Sequence, residues 1–292
     1  MLKQLFKIAQ RHESNIISAF FYECYIRLYT FKYFRFLLKQ LSKRNKPLNV
    51  YFVFGCYNSG TTIVKRAVGL HPDIAVAPVE GDVLTDEFNT FESGGWPRCM
   101  YSNSYEIEED RKNTILDASR ILSDWRPWLR ANKFFVDKSI SHSMRIPHLR
   151  SAFNKTKFIY VTRQLEGVVH GIQKRSKPHG PALLFCEKEY SGQLLRRQWQ
   201  YFHETVLKDI QDNDDILIVS YERFLSDPKE ITAQMHSFLG LKPKKILFTA
   251  GVLSCAGKKI NVKNKKDSLN SASWLESETD LRNSIEAICN VV

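Results

Sequence analysis

Val50-Tyr51-Phe52-Val53-Phe54-Gly55-Cys56-Tyr57-Asn58-Ser59-Gly60-Thr61-Thr62 is the stretch that decides the fold of this chain. A β-branched and aromatic run leads into two glycines set five apart. Two threonines then open an amphipathic helix with apolar positions Ile63, Val64, Ala67, Val68 and Leu70. Strand, glycine loop and helix in that order form a phosphate cradle, in which backbone N–H groups and the helix N-terminus face an anion. An NTPase would carry lysine directly after the second glycine to reach the terminal phosphates. Thr61 stands there instead. The loop is therefore suited to phosphate-like oxygens but lacks the NTPase cation.

Outward from the loop, apolar runs alternate with helical patterns. Strands are expected at 50–54, 74–77, 133–136, 157–162 and 216–220, and helices at 61–70, 113–130, 142–153, 165–175, 191–211, 228–239 and 278–290. Short apolar strands alternating with helices imply an α/β fold, a P-loop-NTPase-like parallel sheet with helices on both faces. Residues 80–112, rich in Gly, Ser, Asn and acids, read as a long excursion from the sheet edge, of the kind that carries function. Trp125, Trp128 and Trp199 sit among apolar neighbours and are expected in the core. Trp96, inside the excursion, is the better candidate for lining a substrate cleft.

The chain has 292 residues, 43% of them apolar, and a formal charge of +12. That is enough to bury one full α/β core. The six cysteines are scattered without a CxxC pair, so neither a zinc site nor a disulfide framework is expected, and no metal. Isolated cysteines fit a reducing compartment, so the chain is expected in the cytoplasm, peripheral at a membrane. Residues 1–46 carry ten basic and two acidic side chains, a surplus of +8, and a second basic run occupies 258–266. Such asymmetry points to an anionic partner.

Residues 1–46 read as a basic, amphipathic, helical extension to a domain at 47–292. Aromatics crowd 20–36, while Glu23, Arg27, Arg35, Lys39 and Lys43 recur at multiples of four and share a helical face. No window approaches the roughly 18 uncharged apolar residues of a spanning helix. A broad aromatic face beside a basic one suits an anionic membrane surface. Packing on the protein's own body or on a second subunit is the alternative.

Four segments in order resemble the sulfotransferases that use 3′-phosphoadenosine 5′-phosphosulfate (PAPS). They are Asn58-Ser59-Gly60-Thr61-Thr62, followed by His71-Pro72-Asp73-Ile74; Val136-Asp137-Lys138-Ser139, followed by Arg145-Ile146-Pro147-His148-Leu149; Lys157 through Arg163; and Val219-Ser220-Tyr221-Glu222-Arg223-Phe224, followed by Asp227-Pro228 and Phe238-Leu239-Gly240-Leu241. The resemblance covers about 49–242 and is closer to the glycan and tyrosylprotein type than to the cytosolic small-molecule type. It implies PAPS as co-substrate, no metal and no nucleic acid, and a hydroxyl acceptor, on a carbohydrate or another large or lipid-linked molecule.

Carried over residue by residue, the resemblance assigns Gly60, Thr61 and Thr62 to the 5′-phosphate, with the Ser59 side chain as a further donor. Arg163 falls on the 3′-phosphate, where a bidentate guanidinium suits the oxyanion. Two departures stand out. Asn58 replaces the usual Lys or Arg and removes a positive charge. Gly171, eight residues after Arg163, replaces a serine that contacts the same phosphate. Lys138 matches a lysine beside the transferring sulfuryl group and is the substitute cation expected for Asn58; the lysines of 258–266 could fold over the 3′-phosphate. The histidine base of the small-molecule enzymes would fall on Ile140, which accepts no proton. Glu80, in Pro78-Val79-Glu80-Gly81-Asp82, matches the glutamate base of the glycan and tyrosylprotein type, with Asp82 and His142 in reserve. The rival readings are a non-catalytic PAPS or nucleotide binder, a nucleotide kinase, and a basic nucleic-acid binder without a visible recognition module.

Overall fold

The computed structural model describes residues 24, 28, 31–43, 46–47, 49–89, 91, 94–131, 133–211, 213–246 and 248. At its centre lies one parallel sheet in the order β2-β3-β1-β4-β5, built from Val50–Gly55 (β1), Ile74–Val76 (β2), Phe134–Lys138 (β3), Lys157–Thr162 (β4) and Ile216–Ser220 (β5). Each expected strand is present, and every pairing is parallel. The period-two alternation of a strand sorts its side chains onto two faces. Val50, Phe52 and Phe54 join one core and Tyr51 and Val53 the other; in β4, Phe158 and Tyr160 oppose Ile159 and Val161 in the same way.

Helices cover both faces. On one lie Ile146–Ala152 (α5), Leu165–Arg175 (α6) and Gly192–Ile210 (α7), which contribute Leu149, Val168, Ile172, Trp199 and Phe202 to the larger core. On the other lie Thr61–Val68 (α2) and Pro228–Phe238 (α9), which supply Val64, Ala67, Ile231 and Met235. A short helix, Tyr221–Ser226 (α8), joins β5 to α9 and is capped by the Ser220 side chain. Trp125, Trp128 and Trp199 are buried, as expected of core residues.

The expected helix over 113–130 is corrected. Two shorter helices replace it: Ser104–Asn113 (α3), which begins well inside the supposed loop excursion and ends where the expected helix would start, and Ala118–Asp124 (α4). Extended backbone at Thr114 ends the first. Asp117 starts the second by accepting from the amides of Ser119 and Arg120, an N-cap that competes with continuing a helix through it. Its polar sequence hid α3, which is tied down by Ile107 in the core and by Asp110 on the buried Arg145 at 2.9 Å.

Lys32–Leu41 (α1) is the described part of the N-terminal extension. Phe34 and Leu38 pack on the larger core, Arg35 donates to the Val83 carbonyl at 2.6 Å, and Lys39 pairs with Asp124 at 2.8 Å. Arg35 and Lys39 thus face the body, while Lys32 is largely exposed. Tyr33, Phe36, Leu37 and Leu41 are exposed. The expected helix at 278–290 lies outside the described residues.

Candidate active site

The glycine loop leaves β1 at the C-terminal edge of the sheet, at the strand where the chain's course reverses from β3 on one side to β4 on the other. Open parallel sheets bind ligands at such a switch point. Gly55 pairs with Val161, and a Cβ there would run into the Val161 carbonyl oxygen. Asn58 takes the left-handed conformation at φ 60°, the Ser59 amide turns back to the Cys56 carbonyl at 3.0 Å, and Gly60 at φ 94° caps α2. Gly60 is required twice over, since a Cβ would also overlap the Tyr221 ring. Burial pushes the Cys56 thiol up to about 12, so this loop cysteine is inert.

Arg163 and Tyr221 follow register partners, Thr162 of β4 and Ser220 of β5, so they emerge side by side. The Arg163 guanidinium lies 4.7 Å from the Tyr221 ring centre and donates to the Asn58 carbonyl at 2.6 Å. The Trp199 indole donates to the Arg163 carbonyl at 3.2 Å, which ties this edge to the core. Ser59 Oγ, Asn58 Nδ2 and Arg163 Nε are buried and have no hydrogen-bond partner among the described residues. Buried polar atoms without partners are costly, and three around one loop suit a ligand rich in acceptor oxygens. Thr61 is buried and Thr62 exposed at the start of α2, where first-turn N–H groups lack intrahelical partners.

On the other side of the loop, β3 brings Lys138 opposite Val53 of β1, two residues before Gly55. The Lys138 ammonium pairs directly with the Glu80 carboxylate; the lysine side chain is 6% exposed and the glutamate 41%. Lys65, on α2, donates to the Ala77 carbonyl at 3.0 Å. Burial, assisted by repulsion from Lys138, lowers its pKa to about 8. Beneath the pair, Asp137 accepts from the Gly81 amide at 2.7 Å, from Ser139 Oγ at 3.0 Å, and meets His142 Nε2 at 2.6 Å. Burial alone would raise the Asp137 carboxyl, but the hydrogen bond and charge of His142 hold it below its ordinary value. A Cβ at Gly81 would lie 2.5 Å from that carboxylate, so glycine lets the Glu80 turn close over it.

Two reserve bases separate clearly here. His142 is fully buried against Asp137 and between Phe52 and Phe88, out of reach of an acceptor. Asp82 accepts from Ser141 at 2.6 Å, and burial with repulsion from Glu80 raises its pKa. Trp96 stacks on Tyr190 at 6.3 Å, in the contact between the excursion and the segment before α7. The structure therefore gathers Asn58, Ser59, Gly60, Thr61, Thr62 and Arg163 on one flank of the loop and Glu80 and Lys138 on the other. The lysines of 258–266 lie outside the described residues. Sequence reasoning missed Lys65, which stands mid-helix with no local signal, and the ring of Tyr221, which only the β4–β5 register brings to the loop.

The sequence model of the sulfotransferase family matches residues 51–244. The chain belongs to that family and is, by class, a PAPS-dependent sulfotransferase. No curated protein matches it by sequence. Among solved structures, it is similar to a sulfotransferase from Alicyclobacillus acidocaldarius at 15% identity, over 84% of this chain and 95% of that one, with a TM-score of 0.49. A sulfotransferase from Mycobacterium tuberculosis gives 14% identity over 82% and 80%, with a TM-score of 0.42. A mouse sulfotransferase complexed with PAP gives 10% identity over 87% and 90%, with a TM-score of 0.46. Among the described residues, no group of three or more His, Cys, Asp or Glu side chains is placed to hold a metal ion.

Proposed function

We propose that this enzyme moves the sulfuryl group of PAPS to a hydroxyl of a carbohydrate or another large or lipid-linked acceptor, with Glu80 as general base. The observation that carries this reading is the Glu80–Lys138 pair beside the loop, with the carboxylate outermost and the ammonium enclosed. The acceptor oxygen attacks sulfur while its proton passes to Glu80. The bond between sulfur and the bridging oxygen breaks, and its electron pair leaves on adenosine 3′,5′-bisphosphate. Negative charge grows on the bridging and sulfuryl oxygens, where Lys138 and the loop amides act as fixed electrostatic partners. Arg163 holds the 3′-phosphate, and Ser59, Thr61 and Thr62 hold the 5′ group. The glutamate base and Ile140 at the histidine position favour the glycan and tyrosylprotein type over the small-molecule type. Transfer from sulfur-labelled PAPS across a panel of glycan, lipid and peptide hydroxyls tests this. One acceptor should be labelled by the wild type and not by Glu80→Gln; equal labelling by both sinks the base assignment.

A peripheral membrane role in the cytoplasm belongs to the same proposal. Its support is the outward apolar face of α1, Tyr33, Phe36, Leu37 and Leu41, together with the basic surplus of residues 1–46. Among the described residues no helix is long and apolar enough to cross a membrane. The full chain is expected to sediment with anionic vesicles and to be released by salt, since each basic side chain at such a surface contributes about 1 kcal/mol. A chain starting at Lys46 that still sediments, or binding by the full chain that ignores salt, removes the membrane reading.

A further inference from the structure

Helix α6 carries Gly167, Gly171 and Arg175 at intervals of four, so they line one face, and Arg163 precedes them by four more. That face lies against the glycine loop. A Cβ at Gly167 would come 2.6 Å from Arg163 Nε, and a Cβ at Gly171 would come 3.0 Å from Asn58 Cβ. One turn beyond Gly171, Arg175 Nη1 donates to Asn58 Oδ1 at 2.8 Å. From the other end, Arg163 Nη1 donates to the Asn58 carbonyl at 2.6 Å. A single neutral loop residue is thus held by two guanidinium groups, and two glycines keep the helix close enough for both to reach.

With Oδ1 occupied by Arg175, the amide orientation of Asn58 is set. Among the described residues its Nδ2 is buried without a partner, as is Oγ of the neighbouring Ser59, which is 1% exposed. We infer that Arg175 supplies the positive charge that the loop lacks at Asn58, with Asn58 as the bracket that positions it toward the anionic groups of the nucleotide donor. This inference rests on the donor reading above. It joins the two departures of the sequence into one arrangement. Asn58 has given up the loop's cation, and Gly171 has given up a side chain so that α6 can approach Asn58 and deliver a cation from its C-terminal turn. A guanidinium in a helix's last turn also interacts favourably with the helix dipole, so the test must separate a ligand role from a helix-end role.

Calorimetric titration of the full chain with adenosine 3′,5′-bisphosphate makes that separation, with melting temperature recorded for each variant. Arg175→Ala is expected to bind about tenfold to a hundredfold more weakly, the range for losing a charge-assisted hydrogen bond. Its affinity should also fall less steeply as salt rises. Arg175→Gln, which can still hydrogen-bond Asn58 Oδ1 but carries no charge, should be as weak as Arg175→Ala. Adding Asn58→Lys to Arg175→Ala should recover most of the affinity by returning the charge to the loop. Arg175→Ala binding like the wild type while Arg163→Ala binds weakly overturns the inference alone, as does Arg175→Gln at wild-type affinity. A lowered melting temperature with unchanged affinity also overturns it, in favour of the helix-end role. A wild type that does not bind the bisphosphate takes down the donor reading, and this inference with it.

Discussion

The two flanks of the glycine loop handle positive charge in opposite ways. On the β3 flank three basic side chains meet carboxylates: the Lys138 ammonium meets Glu80, the His142 imidazole meets Asp137 and, further in, the Arg145 guanidinium meets Asp110. On the β4 flank, Arg163 and Arg175 donate to the two neutral oxygens of Asn58, and Arg163 also faces the Tyr221 ring. A cation matched by a carboxylate presents little net field to a ligand, whereas the Arg163 guanidinium, donating to a neutral carbonyl oxygen, is suited to an incoming anion. Asn58 Nδ2, Ser59 Oγ and Arg163 Nε are buried on this second flank with no partner among the described residues, and Asp82 Oδ1, His142 Nδ1 and Arg145 Nη1 are in the same state on the first. On the proposed function, the first flank carries proton transfer and the second grips the anion.

The largest expected effect tests the division of labour. Glu80→Gln should lower turnover by about 10²–10⁴-fold, as for the loss of a general base, and leave bisphosphate affinity unchanged. Parallel loss of affinity in calorimetry would merge the two flanks into one. Arg163→Ala should do the converse, weakening bisphosphate binding by about 1.5–3 kcal/mol. An unchanged dissociation constant would move the phosphate grip off this flank.

A smaller effect concerns the hinge between the flanks. Gly60→Ala places a side chain at φ 94° and into the Tyr221 ring. It should destabilise the fold by at least the roughly 1–2 kcal/mol of a left-handed residue, measured by urea unfolding. Bisphosphate should then restore less thermal stability than it gives the wild type. Near-wild-type unfolding would show that the ring yields and that loop and ring are not locked together.

The smallest effect is a pH slope from Lys65. Its pKa is lowered to about 8 in the folded protein from the ordinary 10.5. Between these values the unfolded chain binds more protons, so Lys65 should make stability rise with pH across that window. Urea unfolding of Lys65→Met from pH 7.5 to 9.5 should lose this component of the slope. An identical slope in the variant would mean that Lys65 is solvated and outside the β3 network.

Much of this site was legible in the chain itself. Largely apolar runs of four to six residues between helical patterns located all five strands, because strands covered on both faces need apolar side chains on both. The loop from Gly55 to Thr62 was legible because glycine is favoured at positive φ, as at Gly60, and where backbones touch, as at Gly55. Helix α3 was not legible, since a polar helix held mainly by the ion pairs of Asp110 with Arg145 and Arg111 with Asp209 has no strong apolar period. The excursion that seemed a loop thereby contributes Asp110 to the buried Arg145.

By itself, the sequence determined the alternation that builds the sheet, the phosphate-type loop without its lysine, and the pairing of candidate residues with a family chemistry. These are local properties, written in runs, spacings and residue types. Tertiary structure alone decided which charges meet. Register set Lys138 beside the loop and Tyr221 beside Arg163, chain crossings closed Glu80 over Asp137, and a helix packed on the loop turned Gly171 from a missing hydroxyl into the room through which Arg175 reaches Asn58. Contacts between residues a hundred positions apart depend on how layers pack, and no spacing along the chain records that distance.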